Sequence, residues 1–455
     1  MHINISQTTP ATFRPAIQNK TAGFRQTGDI KLMNIRQIIL LSCTSVLLFC
    51  EGCSHSQISK TIDDSVAIQK TPLTAINPPT KHPDIPNSGT SDIQAEAPAP
   101  TAPKLEQYLQ SMTLEEKVAQ LFIILPESLI DGIDCVTAAG DMTQKAFDEI
   151  PVGGFIYLRE NLQSKEQVKA MLSGIQTFSR NRLNLPAFLC VDEEGGPVAR
   201  IGGSGRFDVP IIPNMAKIGE TKDFDEAHDV GVRIGAYLSD LGFNLDFAPV
   251  ADVLSNPDNQ VVKERSFGED PANVSAMALA VASGLQEQGI LSVLKHFPGH
   301  GATAGDTHKG YAYTEKTIEE LKACELIPFQ DGIQAGIPFI MVGHFSLPHV
   351  TQEPIPASLS STVITELLRE EMGFEGIIIT DAMNMGAVAQ QYSSAESAVM
   401  ALKAGNDMIL MPGDFKAAYQ GVLDAVDRGE LTIERIDASL RRILRVKMAM
   451  QTNET

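Results

Sequence analysis

From residue 104 onward the chain reads as an α/β protein of the (β/α)8, TIM-type barrel class, and three observations predict this. Apolar runs of strand length alternate with amphipathic segments of helix length through the whole stretch 104–455. The residues that follow these runs are charged or carry imidazoles, and a barrel collects its polar groups at the carboxyl ends of its strands. The segment after the first run, Leu125-Pro126-Glu127-Ser128, is not the glycine-rich phosphate turn that a doubly wound open sheet normally carries there.

The eight strand-type runs lie at 120–125, 154–158, 187–191, 244–247, 291–294, 339–342, 377–380 and 408–411. Helical periodicity fills the intervals at 165–180, 226–241, 274–288, 318–335, 363–372, 395–403 and 415–428. Thr113 with Glu116 and Thr317 with Glu320 have capping-box spacing and mark helix starts. Consecutive parallel strands need a crossover, and these helices supply it.

Polar residues then crowd the strand ends. The third run leads into Asp192-Glu193-Glu194-Gly195-Gly196, with Arg200 beyond; the fourth into Asp246, Asp252 and Glu264-Arg265; the sixth into His344; the seventh into Asp381. Core packing predicts no such clustering. Asp381 taken alone reads equally well as the cap of a following helix.

The densest stretch follows the fifth run: Lys-His-Phe-Pro-Gly-His-Gly-Ala-Thr-Ala-Gly-Asp-Thr-His, residues 295–308. Its proline and glycines forbid a helix, so it is a loop, and its titratable groups exceed what a connection needs. Singly, His296 reads as a core histidine, His300 as a turn residue and Asp306 as a cap. A metal site is the rival reading, since His296, His300, Asp306 and His308 are all ligand types. Their spacing is no standard ligand pattern and no rigid helical face holds them, so neither a metal nor another cofactor is expected.

This stretch resembles, over all fourteen positions, the signature of the β-N-acetylglucosaminidases of glycoside hydrolase family 3. The resemblance runs from Met112-Thr113-Leu114-Glu115-Glu116-Lys117 to Asp381 and more weakly to the final helix. It includes Asp-x-Glu-Gly-Gly-x-Val-x-Arg from Asp192 to Arg200, with Pro197 where the family often has a basic residue. It implies a retaining exo-acting glycosidase, with Asp381 as nucleophile, His308 as acid/base and Asp306 as the partner that orients His308. It further implies that Asp192, Arg200, Arg265, Lys295 and His296 bind the terminal sugar. Many relatives take their acid/base from a second domain; the length after the eighth run leads us to expect it from the barrel here. An imidazole, with an ordinary pKa of about 6.5, gives and retakes a proton near neutrality, and the loop's glycines permit it to swing over a bound sugar. Peptidoglycan or chitin fragments are the expected substrates. The alternatives are a β-glucosidase, β-xylosidase or glycoside phosphorylase of the same family, a metal-dependent barrel hydrolase, and a glycan-binding lipoprotein without turnover.

Residues 1–53 read as a leader. Met33-Asn34-Ile35-Arg36-Gln37 precedes an apolar run at 38–49 that is too short to span a bilayer, the pattern of a secretory signal. Gly52-Cys53 resembles the end of a bacterial lipoprotein box and makes Cys53 the preferred lipidation site; Leu40-Leu41-Ser42-Cys43 is the alternative. Residues 54–103, rich in Ser, Thr and Pro, form a tether without apolar periodicity. The predicted protein is exported and lipid-anchored, meeting a membrane only through that anchor.

With 455 residues, 43% hydrophobic and 20% charged, the composition suits a large globular core. The net charge of −20 lies almost wholly after residue 103, and no basic cluster appears, so nucleic acid is not an expected partner. A neutral sugar is compatible with this balance. Cys135, Cys190 and Cys324 are too scattered for a disulfide framework, and Cys190 reads as a core thiol.

Overall fold

A computed structural model describes residues 102–452. The leader, residues 54–101 of the tether and both candidate lipidation cysteines lie outside the described residues, whereas Ala102 and Pro103 begin the helix Ala102–Ser111. Eight parallel strands close a barrel: β1 Phe122–Ile124, β2 Gly154–Ile156, β3 Phe188–Val191, β4 Leu245–Asp246, β5 Leu291–Phe297, β6 Phe339–Val342, β7 Ile377–Ala382 and β8 Met408–Leu410. Each pairs with its neighbours in sequence, and β8 pairs with β1 through Phe122↔Ile409 and Ile123↔Leu410. Each of the eight apolar runs coincides with one of these strands, and β5 and β7 continue past their runs to Phe297 and Ala382.

Helices cover the outside and bury their apolar faces on the strands. Capping boxes form at Thr113–Glu116 and Thr317–Glu320, and a third, Ser393–Glu396, opens the helix Ser394–Ala404. The segment 318–335 is not one helix. It divides into Ile318–Lys322 and Ile327–Gln334, because Pro328, which lacks an N–H, sits in the first turn of the second piece. The helix Asp141–Glu149 and a hairpin of Glu193–Gly195 with Val198–Ala199 are elements that the runs and helical segments above do not include.

The final helix, Ile433–Thr452, closes the amino-terminal end of the barrel. Lys447 is fully buried there, donates to Gln120 Oε1 at 2.7 Å and the Gly153 carbonyl at 2.8 Å, and lies 4.9 Å over the Phe188 ring. Buried Asp407 accepts from Arg369, Arg442 and Ser439 and from the Ile378 N–H, tying the same helix to β7 and β8. The edge-to-face rings of Phe188 and Phe339, 5.4 Å apart, belong to β3 and β6 and fill the layer above.

The carboxyl-terminal end is less regular. Along β5 the pairing passes from Leu294↔Ile340 to Phe297↔Val342, so Lys295 and His296 oppose one residue of β6. Along β7 it passes from Ile379↔Met408 to Ala382↔Leu410, so Thr380 and Asp381 oppose one residue of β8. Such bulges re-aim side chains beside active sites.

Candidate active site

The loop after β5 is built around Asp252. This buried carboxylate accepts the N–H of His296 at 3.1 Å and of His300 at 2.6 Å through Oδ1, while Oδ2 lies 2.7 Å from His296 Nδ1. Burial works against its ionisation, but His296, His300 and these N–H groups overturn that and hold it below the ordinary carboxylate range. Glycine is required where the loop returns: a Cβ on Gly301 would come 1.8 Å from the Val253 carbonyl oxygen.

A charged clamp stands beside it. Lys295 Nζ reaches Asp192 Oδ1 at 3.1 Å and Glu194 Oε1 at 2.6 Å, and Arg265 grips Glu194 through Nε–Oε2 and Nη2–Oε1, both 2.7 Å. Arg200 Nη2 lies 3.3 Å from Asp192 Oδ2, while its buried Nε has no protein partner among the described residues. Burial would push the Glu194 carboxyl up, yet Arg265 and Lys295 drive it well below its usual range. Burial would likewise lower Lys295, and Glu194 and Asp192 raise it instead. The hairpin turn at Gly195 and Gly196, both at positive φ, precedes Pro197 and sets Glu194 opposite the end of β5.

Asp381 projects from the bulge of β7, and its Oδ1 accepts the Ala382 N–H at 2.7 Å. Burial disfavours the anion, but His296, His344, the Ala382 N–H and Lys295 outweigh it and hold the carboxyl at about 2. His344 Nε2 donates to the Ala382 carbonyl at 3.0 Å, so Nδ1 accepts from the Ser358 hydroxyl at 2.6 Å. Burial keeps this ring's pKa down. Asp381 caps no helix; the next one, Gly386–Ala389, follows Met385 and has no side-chain cap.

At the mouth, His308 Nδ1 and the His308 N–H both lie 3.0 Å from Asp306 Oδ1, and Lys309 Nζ lies 3.1 Å from Oδ2. Burial opposes the Asp306 charge, but Lys309 and His308 lower its pKa. With Nδ1 turned to Asp306, His308 keeps Nε2 for other work, and its side chain is 61% exposed.

All eight side chains singled out from the sequence, Asp192, Arg200, Arg265, Lys295, His296, Asp306, His308 and Asp381, line one cavity of about 940 Å3. The ligand-type groups of the loop separate: His296 turns to Asp252, and His300 to Thr303 and Thr307. The sequence reading left out Glu194, Asp252 and His344 as functional residues. Glu194 was signalled by its place in the Asp-x-Glu motif after β3, and the other two by their place after strand ends.

Residues 113–446 match the family model of the glycosyl hydrolase family 3 N terminal domain. The chain is 33% identical over 320 residues to Beta-hexosaminidase A of Pseudoalteromonas piscicida, covering 65% of this chain and 53% of that protein. It is 36% identical over 275 residues to Beta-hexosaminidase LpqI of Mycobacterium tuberculosis, covering 58% and 68%. A solved family 3 beta-N-acetylglucosaminidase from Paenibacillus sp. superposes with a TM-score of 0.70 at 35% identity, covering 75% of this chain and 64% of that one. The chain thus spans little more than half of the first relative and under two thirds of the Paenibacillus enzyme. With the family model covering most of its length and a family 3 barrel superposing on its own, the chain belongs to glycosyl hydrolase family 3.

Proposed function

We propose that the protein is a retaining exo-β-N-acetylglucosaminidase acting on glycans such as peptidoglycan or chitin fragments. The observation that carries this reading is the sharing of one cavity by an ionised carboxylate at a strand end, Asp381, and a loop-borne Asp306–His308 pair. Relatives and a superposing structure that bear β-hexosaminidase and β-N-acetylglucosaminidase names support it.

In this reading the terminal sugar lies against Asp192, Arg200, Arg265, Lys295 and His296. The clamp presents paired charges fixed in place, suited to vicinal hydroxyls, and Arg200 Nε keeps an unspent donor. Asp381 attacks the anomeric carbon as His308 gives its proton to the departing oxygen, leaving a glycosyl-aspartate ester and a free alcohol. His308 then takes a proton from water, whose oxygen displaces the aspartate, and two inversions give retention. Asp306 holds His308 with Nε2 toward the reacting oxygen and stabilises the imidazolium.

Anchoring through Cys53 or Cys43 remains part of the proposal on the strength of the leader. No helix among the described residues is long and apolar enough to cross a membrane. Labelled palmitate should enter the membrane fraction with this protein; unlabelled enzyme found solely in the soluble fraction rejects the anchor.

The test of function compares chromogenic β-N-acetylglucosaminide, β-glucoside and β-xyloside, with and without phosphate. Turnover of the first alone, independent of phosphate, with a fluorinated slow substrate attached to Asp381, is the expected result. Phosphate dependence would make it a phosphorylase. Tight thiazoline inhibition with no adduct would assign the nucleophile to the substrate's own acetamido group.

A further inference from the structure

Asp306 and His308 stand at the edge of the cavity on an open loop, yet Thr307 between them is 1% exposed. Its side chain turns inward, with Oγ1 3.2 Å from His300 Nε2, and its carbonyl accepts the N–H of Ala387 at 3.1 Å. The next two residues follow it onto the same surface. The His308 carbonyl packs so closely on Gly386 that a Cβ there would come within 2.9 Å of the oxygen, and the Lys309 carbonyl accepts from Gln390 Nε2 at 3.3 Å.

His300 is itself immobilised. Its N–H is spent on Asp252, and its Nδ1 faces Thr303 Oγ1 at 3.0 Å and Asn259 Nδ2 at 3.5 Å. The Asn259 amide is oriented by the N–H groups of Val261 and Val262, which donate to its Oδ1, so its nitrogen points at the ring. His300 Nδ1 is therefore an acceptor, Nε2 carries the hydrogen, and Nε2 donates to Thr307 Oγ1.

We propose that Thr307 is a positioning residue that registers the His308 imidazole against Asp381, tying the loop to the end of β5 through His300 and to the helix after β7 through Ala387. The need is chemical. A retaining glycosidase must hold its nucleophile and proton donor at one short separation across the anomeric centre. Asp381 is fixed on a strand, but His308 lies between Gly305 and Gly310, both at positive φ, and among the described residues its exposed side chain is held by Asp306 alone. Thr307 gives this loop a buried anchor, and Gly386 leads from the nucleophile's own strand to the surface on which the loop rests.

This inference rests on the reading of His308 as acid/base, and its test separates the two. Thr307→Val keeps the shape and removes the oxygen; Thr307→Ser restores it; Gly386→Ala pushes on the His308 carbonyl and on Gln390 Nε2 while leaving the Thr307–His300 contact in place. Each is assayed with His308→Ala on a dinitrophenyl β-N-acetylglucosaminide and on a β-1,4-linked disaccharide, whose leaving oxygen needs a proton. Misplacing a catalytic group by about an ångström costs roughly a hundredfold. Thr307→Val and Gly386→Ala should therefore lose about ten- to a hundredfold in kcat on the disaccharide and much less on the activated glycoside, with Thr307→Ser close to the parent.

If His308→Ala is selective for the poor leaving group while Thr307→Val and Gly386→Ala match the parent on both substrates, the positioning role is wrong and the acid/base reading stands. Equal loss on both substrates in the Thr307 and Gly386 variants also overturns the positioning role. If His308→Ala itself shows no selectivity, the acid/base reading falls first. Should Thr307→Val fail to fold, Gly386→Ala carries the test alone.

Discussion

Lys295 and Glu194 meet at 2.6 Å with almost no exposure of either side chain, and the pair joins the end of β5 to the hairpin after β3. Glu194 also pairs with Arg265 through two nitrogens, so one carboxylate is shared by two cations at the cavity wall, with Asp192 as the second anion beside Lys295. Removing it leaves Lys295 and Arg265 buried without their main counter-charge. Breaking a buried pair from one side costs about 3–5 kcal/mol. Glu194→Ala should lower stability by that order in urea unfolding and cut kcat/KM through misplaced sugar ligands. An unchanged unfolding midpoint and slope would mean that water reaches both cations and that the clamp is not a closed unit.

Asp246 gives a pH-dependent prediction. It is buried on β4, accepts the Glu193 N–H at 2.9 Å through Oδ1, and has no protein partner for Oδ2 among the described residues. Burial is the main cause that holds its pKa well above the ordinary carboxylate value, against the pull of the Glu193 N–H. The unfolded chain releases this proton near pH 4 while the folded chain keeps it. Its contribution to stability is thus complete below that pH and is lost as pH rises toward the folded pKa. Asp246→Asn cannot ionise, so its stability relative to the parent should climb above pH 4 by about 1.4 kcal/mol per pH unit until Asp246 ionises in the parent. Titrating groups not coupled to Asp246 are common to both proteins and cancel in the difference; Glu193, Asp192 and Lys295 are coupled to it. A difference that stays constant from pH 5 to pH 8 would show that Asp246 is already ionised in the fold.

The barrel was legible because its signals are local. Alternation of apolar runs located all eight strands, and the signature at 295–308 with Asp192, Arg200, Arg265 and Asp381 marked side chains that do share a cavity. What was not legible depends on contacts between distant segments. Nothing near Asp252 in sequence says that it receives two N–H groups from the loop after β5, and nothing near His344 names Ser358 or Ala382 as its partners. The bulges that aim Lys295, His296 and Asp381 are set by pairing register, which a single strand does not encode. Pro328 was a local signal, and it was enough to divide the helix assigned to 318–335.

Gly301 offers a steric test of how the signature loop is seated. An added Cβ would overlap the Val253 carbonyl, so backbone must move on one side or the other. Gly301→Ala should cost at least about 1–3 kcal/mol, the range for overpacking a close contact, and should depress activity because His300 and Asp252 shift with it. Gly140→Ala is the steric control: nothing lies within 4 Å of its Cβ position, so it should lose no more than the roughly 1 kcal/mol that alanine costs at the N-cap it occupies before Asp141–Glu149. Equal melting temperatures for the two variants would show that the loop is held more loosely than this packing requires.

His344 supplies the last prediction: with Asp381 as the proposed nucleophile, His344 acts on that side of the bond and should leave a different kinetic trace from His308. Its Nε2–H donates to the carbonyl of Ala382, the residue whose N–H holds Asp381 Oδ1. The Ser358 hydroxyl, donating to Nδ1, fixes that tautomer. His344→Phe removes this donor and leaves the Ala382 carbonyl with the Met385 N–H alone, so the turn that aims Asp381 loosens. Ser358→Ala removes only the tautomer's lock; the ring can then place its hydrogen on Nδ1 and face the carbonyl with a lone pair. Nucleophilic attack is needed whatever the leaving group. His344→Phe should therefore slow dinitrophenyl and disaccharide substrates by a similar factor, roughly ten- to a hundredfold in kcat, and Ser358→Ala by less in the same pattern. If His344→Phe instead spares the dinitrophenyl glycoside and loses only the disaccharide, His344 serves proton transfer rather than the placement of Asp381, and the division of labour between the two histidines must be redrawn.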